Sequence, residues 1–408
     1  MKCRFCHSEL KDVFVDFGHA PLSNSFLTKG QLDCPEKYYP LKIYVCNECY
    51  LVQTGEEKKS EEIFNEGYIY YSSFSQSWLK HAENYVKMMI DRFGFNKNSF
   101  VMEIASNDGY LLQYFKKKNI PVLGIEPSKG TADVAIEKGI ETRVEYFGRK
   151  SAKELASKNI KADLMIGNNV LAHVPDINDF VAGFKMVLKE DGIITMEFPH
   201  LLQLVLKKQF DTIYHEHFFY HSFSTVNKIF NKHGLEIFDV DEVPTHGGSL
   251  RIYAKHTENR NLKISNNVRI LFEKEQKHKM NSMEFYKSFQ HEVETIKLSF
   301  LEFLLLQKKA NKKVCGYGAA AKGNTLLNYC GIKNDLVGYL VDASPYKQGK
   351  YLPGSHLPVY SEEKLKEDKP NYVIIFPWNI KEEIINQLSY IKNWGGKFVV
   401  PIPGLEVI

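Results

Sequence analysis

Two Cys-x-x-Cys pairs near the N-terminus and two separate strand–helix alternations predict an α/β protein of three units. The first unit, residues 1–65, is a zinc-binding module. The second, residues 66–260, is a Rossmann-like domain. The third, residues 261–408, joins linker helices to another Rossmann-like α/β domain. A chain of 408 residues has room for this division. Its 44 % hydrophobic and 25 % charged residues are those of a globular protein. The net charge of +4 gives no reason to expect nucleic-acid binding, which calls for clustered basic residues. No stretch approaches the apolar length of a membrane span; the best run, residues 300–306, is short and holds Glu302. The opening Met1-Lys2-Cys3-Arg4-Phe5-Cys6 has no apolar leader region, so a cytoplasmic location is expected.

The zinc module rests on Cys3/Cys6 and Cys46/Cys49. In a reducing compartment such pairs read as knuckles of one tetrahedral thiolate site. Their surroundings match in kind: Cys-Arg-Phe-Cys-His and Cys-Asn-Glu-Cys-Tyr. The segment between them is longer than a usual zinc ribbon. Four protein ligands leave no open position, so the metal is structural. Cys34 is expected to be an ordinary buried thiol. Residues 41–45 read as a short strand.

In the central unit, residues 99–105, 121–125, 163–167 and 192–198 read as strands. Residues 110–118, 129–138 and 177–189 read as the helices between them. The first strand runs into Ala105-Ser106-Asn107-Asp108-Gly109, and the second ends at Glu126. Ligands bind beyond the carboxyl ends of such strands, and an acid there can accept both hydroxyls of a ribose. The glycine fingerprint of dinucleotide binding is absent: Ala105, Ser106 and Asn107 stand where glycines would be expected. A nucleoside without phosphate, such as S-adenosylmethionine, suits this loop better. Gly167-Asn168-Asn169-Val170-Leu171-Ala172-His173-Val174 ends another strand with amides suited to a cofactor's polar edge, and His173 is placed for substrate. Residues 235–240 and 249–255 read as a late strand pair joined by Thr245-His246-Gly247-Gly248.

Residues 265–310 lack Gly and Pro and predict long helices. Strands are then expected at residues 313–316, 336–341, 372–376 and 397–400. The Gly316-x-Gly318 loop reads as a phosphate cradle with Lys322 as a charge partner. Asp342 ends the next strand and either accepts ribose hydroxyls or caps the helix beyond. The most informative run is Tyr214-His215-Glu216-His217-Phe218, where two imidazoles, a carboxylate and a phenol suit proton transfer near neutral pH. A polar turn, or a zinc site on His215 and His217, are alternative readings of the same run.

With these pieces in order, the chain resembles the sugar C-methyltransferases of deoxysugar biosynthesis. The resemblance runs through the four-cysteine module with Gly18-His19-Ala20-Pro21-Leu22-Ser23-Asn24, and through Tyr68-Ile69-Tyr70-Tyr71-Ser72-Ser73-Phe74-Ser75. It continues over residues 103–109, 168–174 and 214–218, His246-Gly247-Gly248-Ser249-Leu250-Arg251, and Gly316-Tyr317-Gly318-Ala319-Ala320-Ala321-Lys322-Gly323-Asn324-Thr325. It implies structural zinc, S-adenosylmethionine in the middle domain, and a nucleotide-linked keto-sugar between the middle and C-terminal domains. The expected chemistry is removal of a proton beside the sugar ketone, with methyl transfer to the enolate carbon. His217 is the expected base, tuned by Glu216, with Tyr214 or Tyr68 donating to the enolate oxygen. Cofactor contacts are expected from Glu103, Asn107, Asp108, Gly109, Glu126 and Asn168. Substrate contacts are expected from Tyr70, His173, His215, Gly318, Lys322 and Asn324. The alternatives are a sugar O-methyltransferase, an NAD-dependent sugar-nucleotide oxidoreductase, and a zinc-ribbon binding protein without catalysis.

Overall fold

The computed structural model describes residues 1–55 and 71–408, so Tyr68 and Tyr70 lie outside the described residues. The N-terminal unit is an antiparallel sheet of β1 (Asp12–Ala20), β2 (Tyr39–Val45) and β3 (Val52–Thr54). Along β2, Leu41, Ile43 and Val45 point inward and alternate with less buried neighbours, the period-two pattern of a half-buried strand. The sequence pattern does not announce β1, because its pairing with β2 shifts register twice and breaks the alternation. A fourth strand comes from far along the chain: Phe219 and Tyr220 pair with Gln53 and Val52. Cys34, expected to be buried, is exposed on the loop before β2, where the chain has no apolar partner strand to cover it.

The central domain opens with α1 (Gln76–Phe93), a helix the strand–helix reading left out. Its signals were local: the Ser75 side chain accepts from the Trp78 amide, and Gly94 closes the helix at φ +73°. The strands β4 (Val101–Ile104), β5 (Val122–Ile125), β6 (Thr142–Arg143), β7 (Ala162–Asn168) and β8 (Leu188–Pro199) follow. After β9 (Phe219–Tyr220), the last two are β10 (Leu235–Val243) and β11 (Ser249–His256). The sheet order is β10-β11-β8-β7-β4-β5-β6, parallel except where β11 runs against both neighbours. All four residues of β4 are buried, as befits a strand covered by helices on both faces. Strand order reverses beside β4, which opens a crevice at the carboxyl ends of β4, β5 and β7.

Helices α2 (Asn266–Lys277) and α3 (Phe289–Lys309) lead to the C-terminal domain. There β12 (Val314–Tyr317), β13 (Leu340–Val341), β14 (Val359–Tyr360), β15 (Tyr372–Ile375), β16 (Lys397–Val400) and β17 (Glu406–Val407) form one sheet in the order β14-β13-β12-β15-β16-β17. Between β12 and β13 runs α4 (Ala321–Cys330). The units share a core. Phe14 of β1 stacks on Phe289 of α3 at 4.5 Å, and the same apolar cluster runs on to Leu326 and Leu340. Among the described residues no helix is long and apolar enough to cross a membrane.

Candidate functional site

The four knuckle cysteines come together with all Sγ atoms within 4.8 Å of one another. Both knuckles turn the same way. His7 and Tyr50, the residues after each pair, sit at φ +65° and +64°, and their amides donate to the carbonyls of Cys3 and Cys46. Gln53 Nε2 donates to Cys3 Sγ at 3.2 Å, a second layer that favours the thiolate. Hydrogen bonds from Cys46 and Cys49 hold the Cys3 thiol well below its ordinary pKa. Four soft, tightly gathered thiol groups fit zinc.

The cofactor crevice is built from left-handed backbone. Ala105, Asn107 and Gly109 alternate at φ +55°, +50° and +74°. The loop thus keeps the shape that glycines would give while carrying side chains at two of the three positions, a strained arrangement. A side chain at 109 would also meet Ile140 at 2.3 Å, so only glycine serves there. Glu126 locks the loop: its Oε2 accepts from the Asn107 amide at 2.9 Å, and its Oε1 from the Ser128 amide at 2.8 Å. Asn107 Oδ1 accepts from the Ser72 amide at 2.9 Å and ties in the segment before α1. Asp108 turns elsewhere; its carboxylate lies 3.2 Å from Lys138 Nζ.

Glu103, at the end of β4, is 1 % exposed; the Tyr110 hydroxyl stands beside it and favours its charged form, but neither carboxylate oxygen receives a hydrogen bond of normal geometry among the described residues. Burial, helped by the charges of Glu126 and Asp108, pushes its pKa well above the usual carboxylate range. Asn168 Oδ1 is likewise buried and unpartnered, while its Nδ2 sits 3.5 Å from the Tyr110 hydroxyl. Unsatisfied buried acceptors on an acidic wall fit a ligand that brings cationic or donor groups. S-adenosylmethionine, with its sulfonium and ammonium, is such a ligand; a dinucleotide pyrophosphate is not.

Beside this crevice His217 lies among His173 and Tyr214, with ring centroids 4.7 Å and 4.1 Å away. Its Nδ1 is 2.8 Å from the Thr212 carbonyl. A carbonyl only accepts, so Nδ1 carries the proton and Nε2 keeps the lone pair of a base. Burial drives the His217 pKa well below the ordinary imidazole value, with the charges of His173, His246 and Lys322 adding to the effect. His217 is therefore neutral at physiological pH. Thr212, not Glu216, holds the ring. The Glu216 carboxylate accepts instead from Asn24 Nδ2 at 2.7 Å, and burial raises its pKa to about 7. Its backbone carbonyl takes the Nδ1 proton of His173 at 2.8 Å. His215 faces the N-terminal sheet, where its Nε2 meets the carbonyls of Tyr39 and Pro40 at 3.3 and 3.2 Å, so it serves packing between units and not the pocket.

The C-terminal domain closes over the same loop. Thr325 Oγ1 donates to the Ile213 carbonyl at 2.9 Å, and Trp378 Nε1 donates to Asp211 Oδ2 at 2.7 Å. These bonds bracket Thr212. Lys322 Nζ donates to Asn379 Oδ1 at 2.7 Å and lies 4.5 Å from the centre of the Trp378 ring. Gly318 sits at φ +94°, where a side chain would strike Pro377 at 2.5 Å. Asp342 repeats the role of Glu126: its Oδ2 accepts from the Ala319 amide at 2.8 Å and its Oδ1 from the Ser344 amide at 2.9 Å. Asn324 is 1 % exposed and its Oδ1 accepts from Asn328, so it packs α4 instead of lining a pocket.

Sequence reasoning missed several neighbours of this site. His246, at φ +52°, pairs with Asn169 Nδ2 at 3.1 Å and packs on Trp78 at 5.4 Å. Glu197 at the end of β8 gathers His81 at 2.9 Å, Arg251 at 2.8 Å and Thr245 at 2.8 Å. Burial alone would raise the pKa of Glu197, but these partners hold it down at about 2. His246 and Arg251 were signalled by the run His246-Gly247-Gly248-Ser249-Leu250-Arg251 without a role attached to either; Trp378 carried no signal.

Three family comparisons tile the chain. Residues 3–64 match the family described as "Putative zinc binding domain", residues 78–240 match "Methyltransferase domain", and residues 244–403 match "C-methyltransferase C-terminal domain". C-methyltransferase NovU of Streptomyces niveus is 32 % identical over 409 residues, spanning 100 % of this chain and 96 % of that protein. Among solved structures, magnesium protoporphyrin IX methyltransferase from Synechocystis PCC 6803 is 14 % identical over 48 % of this chain and 88 % of its own, with a TM-score of 0.34. The PH0226 protein of Pyrococcus horikoshii OT3 is 16 % identical over 49 % of this chain and 99 % of its own, with a TM-score of 0.38.

Proposed function

The chain belongs to the S-adenosylmethionine-dependent C-methyltransferase family, and on that premise we propose that it methylates the ring carbon next to the ketone of a nucleotide-linked deoxy keto-sugar. Membership sets aside the oxidoreductase and the non-catalytic zinc-ribbon protein. The zinc is structural. When bound, S-adenosylmethionine supplies an electrophilic methyl group on its sulfonium.

The reading is carried by one observation: a neutral histidine, fixed with its Nε2 lone pair available, lies beside an acidic crevice and under a second nucleoside-type fold. A C–H next to a ketone is acidic enough for such a base, and the resulting enolate makes carbon nucleophilic. His217 Nε2 takes the proton. Tyr214 and His173, packed against the same ring, support the developing oxygen charge or the sugar. Glu103, Asn107, Gly109, Glu126 and Asn168 hold the methyl donor. Gly318 lets β12 and the loop before Trp378 approach closely, and the Asp342 carboxylate shapes the loop for the nucleotide.

The decisive experiment offers dTDP-, GDP- and CDP-keto-sugars together with methyl-labelled S-adenosylmethionine. Mass spectrometry then locates the label. Label on ring carbon supports the reading. Label on oxygen would replace it with an O-methyltransferase, which shares every binding feature but needs no enolate.

A further inference from the structure

We propose that the Lys322 ammonium is a further catalytic group, the cation that receives the negative oxygen of the enolate, and not a partner of the substrate's diphosphate. The inference rests on the keto-sugar reading above. Lys322 is half-buried at the start of α4. Its contacts are neutral: the Asn379 amide oxygen at 2.7 Å and the face of Trp378. Among the described residues it forms no ion pair. Asp211 is near enough to feel its charge, but the two form no ion pair: Oδ2 of that carboxylate accepts from Trp378 and Oδ1 is left without a partner among the described residues. Holding a half-buried ammonium against neutral partners costs free energy. The arrangement makes physical sense if an anion arrives.

Two anions are on offer, and position decides between them. Trp378, on which the amine rests, donates to Asp211 beside the carbonyl that orients His217. Its ring edge lies where a side chain at Gly247, next to His246, would come within 2.5 Å. The amine therefore stands on the histidine side of the junction, and its charge is felt by both His217 and His246. The glycine loop is arranged differently. Its Ala319 amide is taken by the Asp342 carboxylate, and Lys347 lies 3.2 Å from that carboxylate. A diphosphate at the loop would meet its own lysine there, leaving Lys322 for the other charge.

The step balances. The C–H bond breaks, its proton goes to His217 Nε2, and its electron pair forms the C=C bond while the carbonyl oxygen takes the charge facing Lys322. That charge returns as C=O when the carbon forms its bond to the methyl group and the methyl–sulfur bond breaks, giving a neutral thioether. His217 then releases its proton to solvent.

The test uses the full-length, zinc-loaded protein and the keto-sugar nucleotide that the wild type methylates. Lys322→Met keeps the stem on Trp378 and removes the charge. Washing of solvent deuterium into the sugar, without S-adenosylmethionine, reads enolate formation alone. Exchange and kcat should each fall by about 100-fold or more, the scale of a lost oxyanion donor. Affinity for S-adenosylmethionine and for the substrate's nucleoside diphosphate should stay within about threefold of wild type, as expected when only transition-state contacts are lost. Lys322→Arg should recover part of the exchange. Unchanged exchange in Lys322→Met would overturn the proposal, and so would weakened nucleoside diphosphate binding, which would assign the lysine to the diphosphate. Wild-type label on oxygen would overturn the keto-sugar enolate itself, an outcome visible before any variant is made.

Discussion

Glu126→Gln offers the sharpest probe of the cofactor crevice. In the wild type each carboxylate oxygen accepts one backbone amide, from Asn107 and Ser128. Glutamine has the same shape but only one acceptor oxygen. Whichever amide faces the new NH2 loses a charge-assisted bond and meets a donor instead. Such a bond contributes about 1.5–3 kcal/mol, and Glu126 is only 4 % exposed, so water does not replace it. The Asn107 bond also ties down the loop in which Ala105, Asn107 and Gly109 take their left-handed shape, and the Ser128 bond anchors Glu126 beneath it. Affinity for S-adenosylmethionine should therefore fall by about 2 kcal/mol, or about 30-fold. Titration calorimetry with S-adenosylmethionine measures this directly. Asp342→Asn supplies the control, because it disturbs the same geometry in the other nucleoside-type fold. It should weaken the sugar nucleotide and leave the methyl donor alone, and Glu126→Gln should do the reverse. A Glu126→Gln protein that binds S-adenosylmethionine within about threefold of wild type, against the 1.4 kcal/mol per tenfold scale, would refute the reasoning.

Three further outcomes are expected. Protein purified without added zinc should carry about one equivalent, and Cys46→Ser should lose it together with thermal stability; a folded, metal-free wild type with four free thiols would contradict this. His217→Asn should bind both ligands yet lose about 100-fold or more in kcat, together with deuterium exchange into the sugar; near-normal turnover would exclude it as the base. Stability should fall with acid. Burial lowers His173, His221 and His246 to about 4, so below the unfolded value near 6.5 the unfolded chain binds protons the fold refuses. That stability is complete above about pH 6.5 and is lost as pH falls toward about 4. Thermal melts across this window should show the decline, and an unchanged melting temperature would count against the buried neutral state.

The parts of the molecule written in local pattern were legible. The knuckles, the strand ends at Glu103, Glu126 and Asp342, and the strand pair around the His246 turn need only neighbours in sequence. Helix α1 is written locally too, in the Ser75 cap and the closing Gly94. Contacts made by backbone or across hundreds of residues were not legible. No side-chain pattern says that the Thr212 carbonyl will hold His217, since every residue has a carbonyl. Adjacent sequence suggested Glu216 for that role, but the chain turns between the two and sends the carboxylate to Asn24. Likewise nothing beside Lys322 in the sequence says that its amine will rest on the face of Trp378, 56 positions later in the numbering.

The loop that carries His217 is fastened by two foreign units. Trp378 and Thr325 hold it from the C-terminal domain, while β9 adds to the zinc module's sheet and His215 leans on its backbone. This governs how such an enzyme can be recombined. A chimera that exchanges the C-terminal domain to change the acceptor must carry compatible residues at 211 and 213, although these belong to the central stretch of the chain. Replacing the zinc module must respect the pairing with Phe219 and Tyr220. Crossovers placed at the apparent borders between units would sever these stitches and release the segment that carries His217. A productive crossover keeps residues 211–220 matched to both units that fasten them.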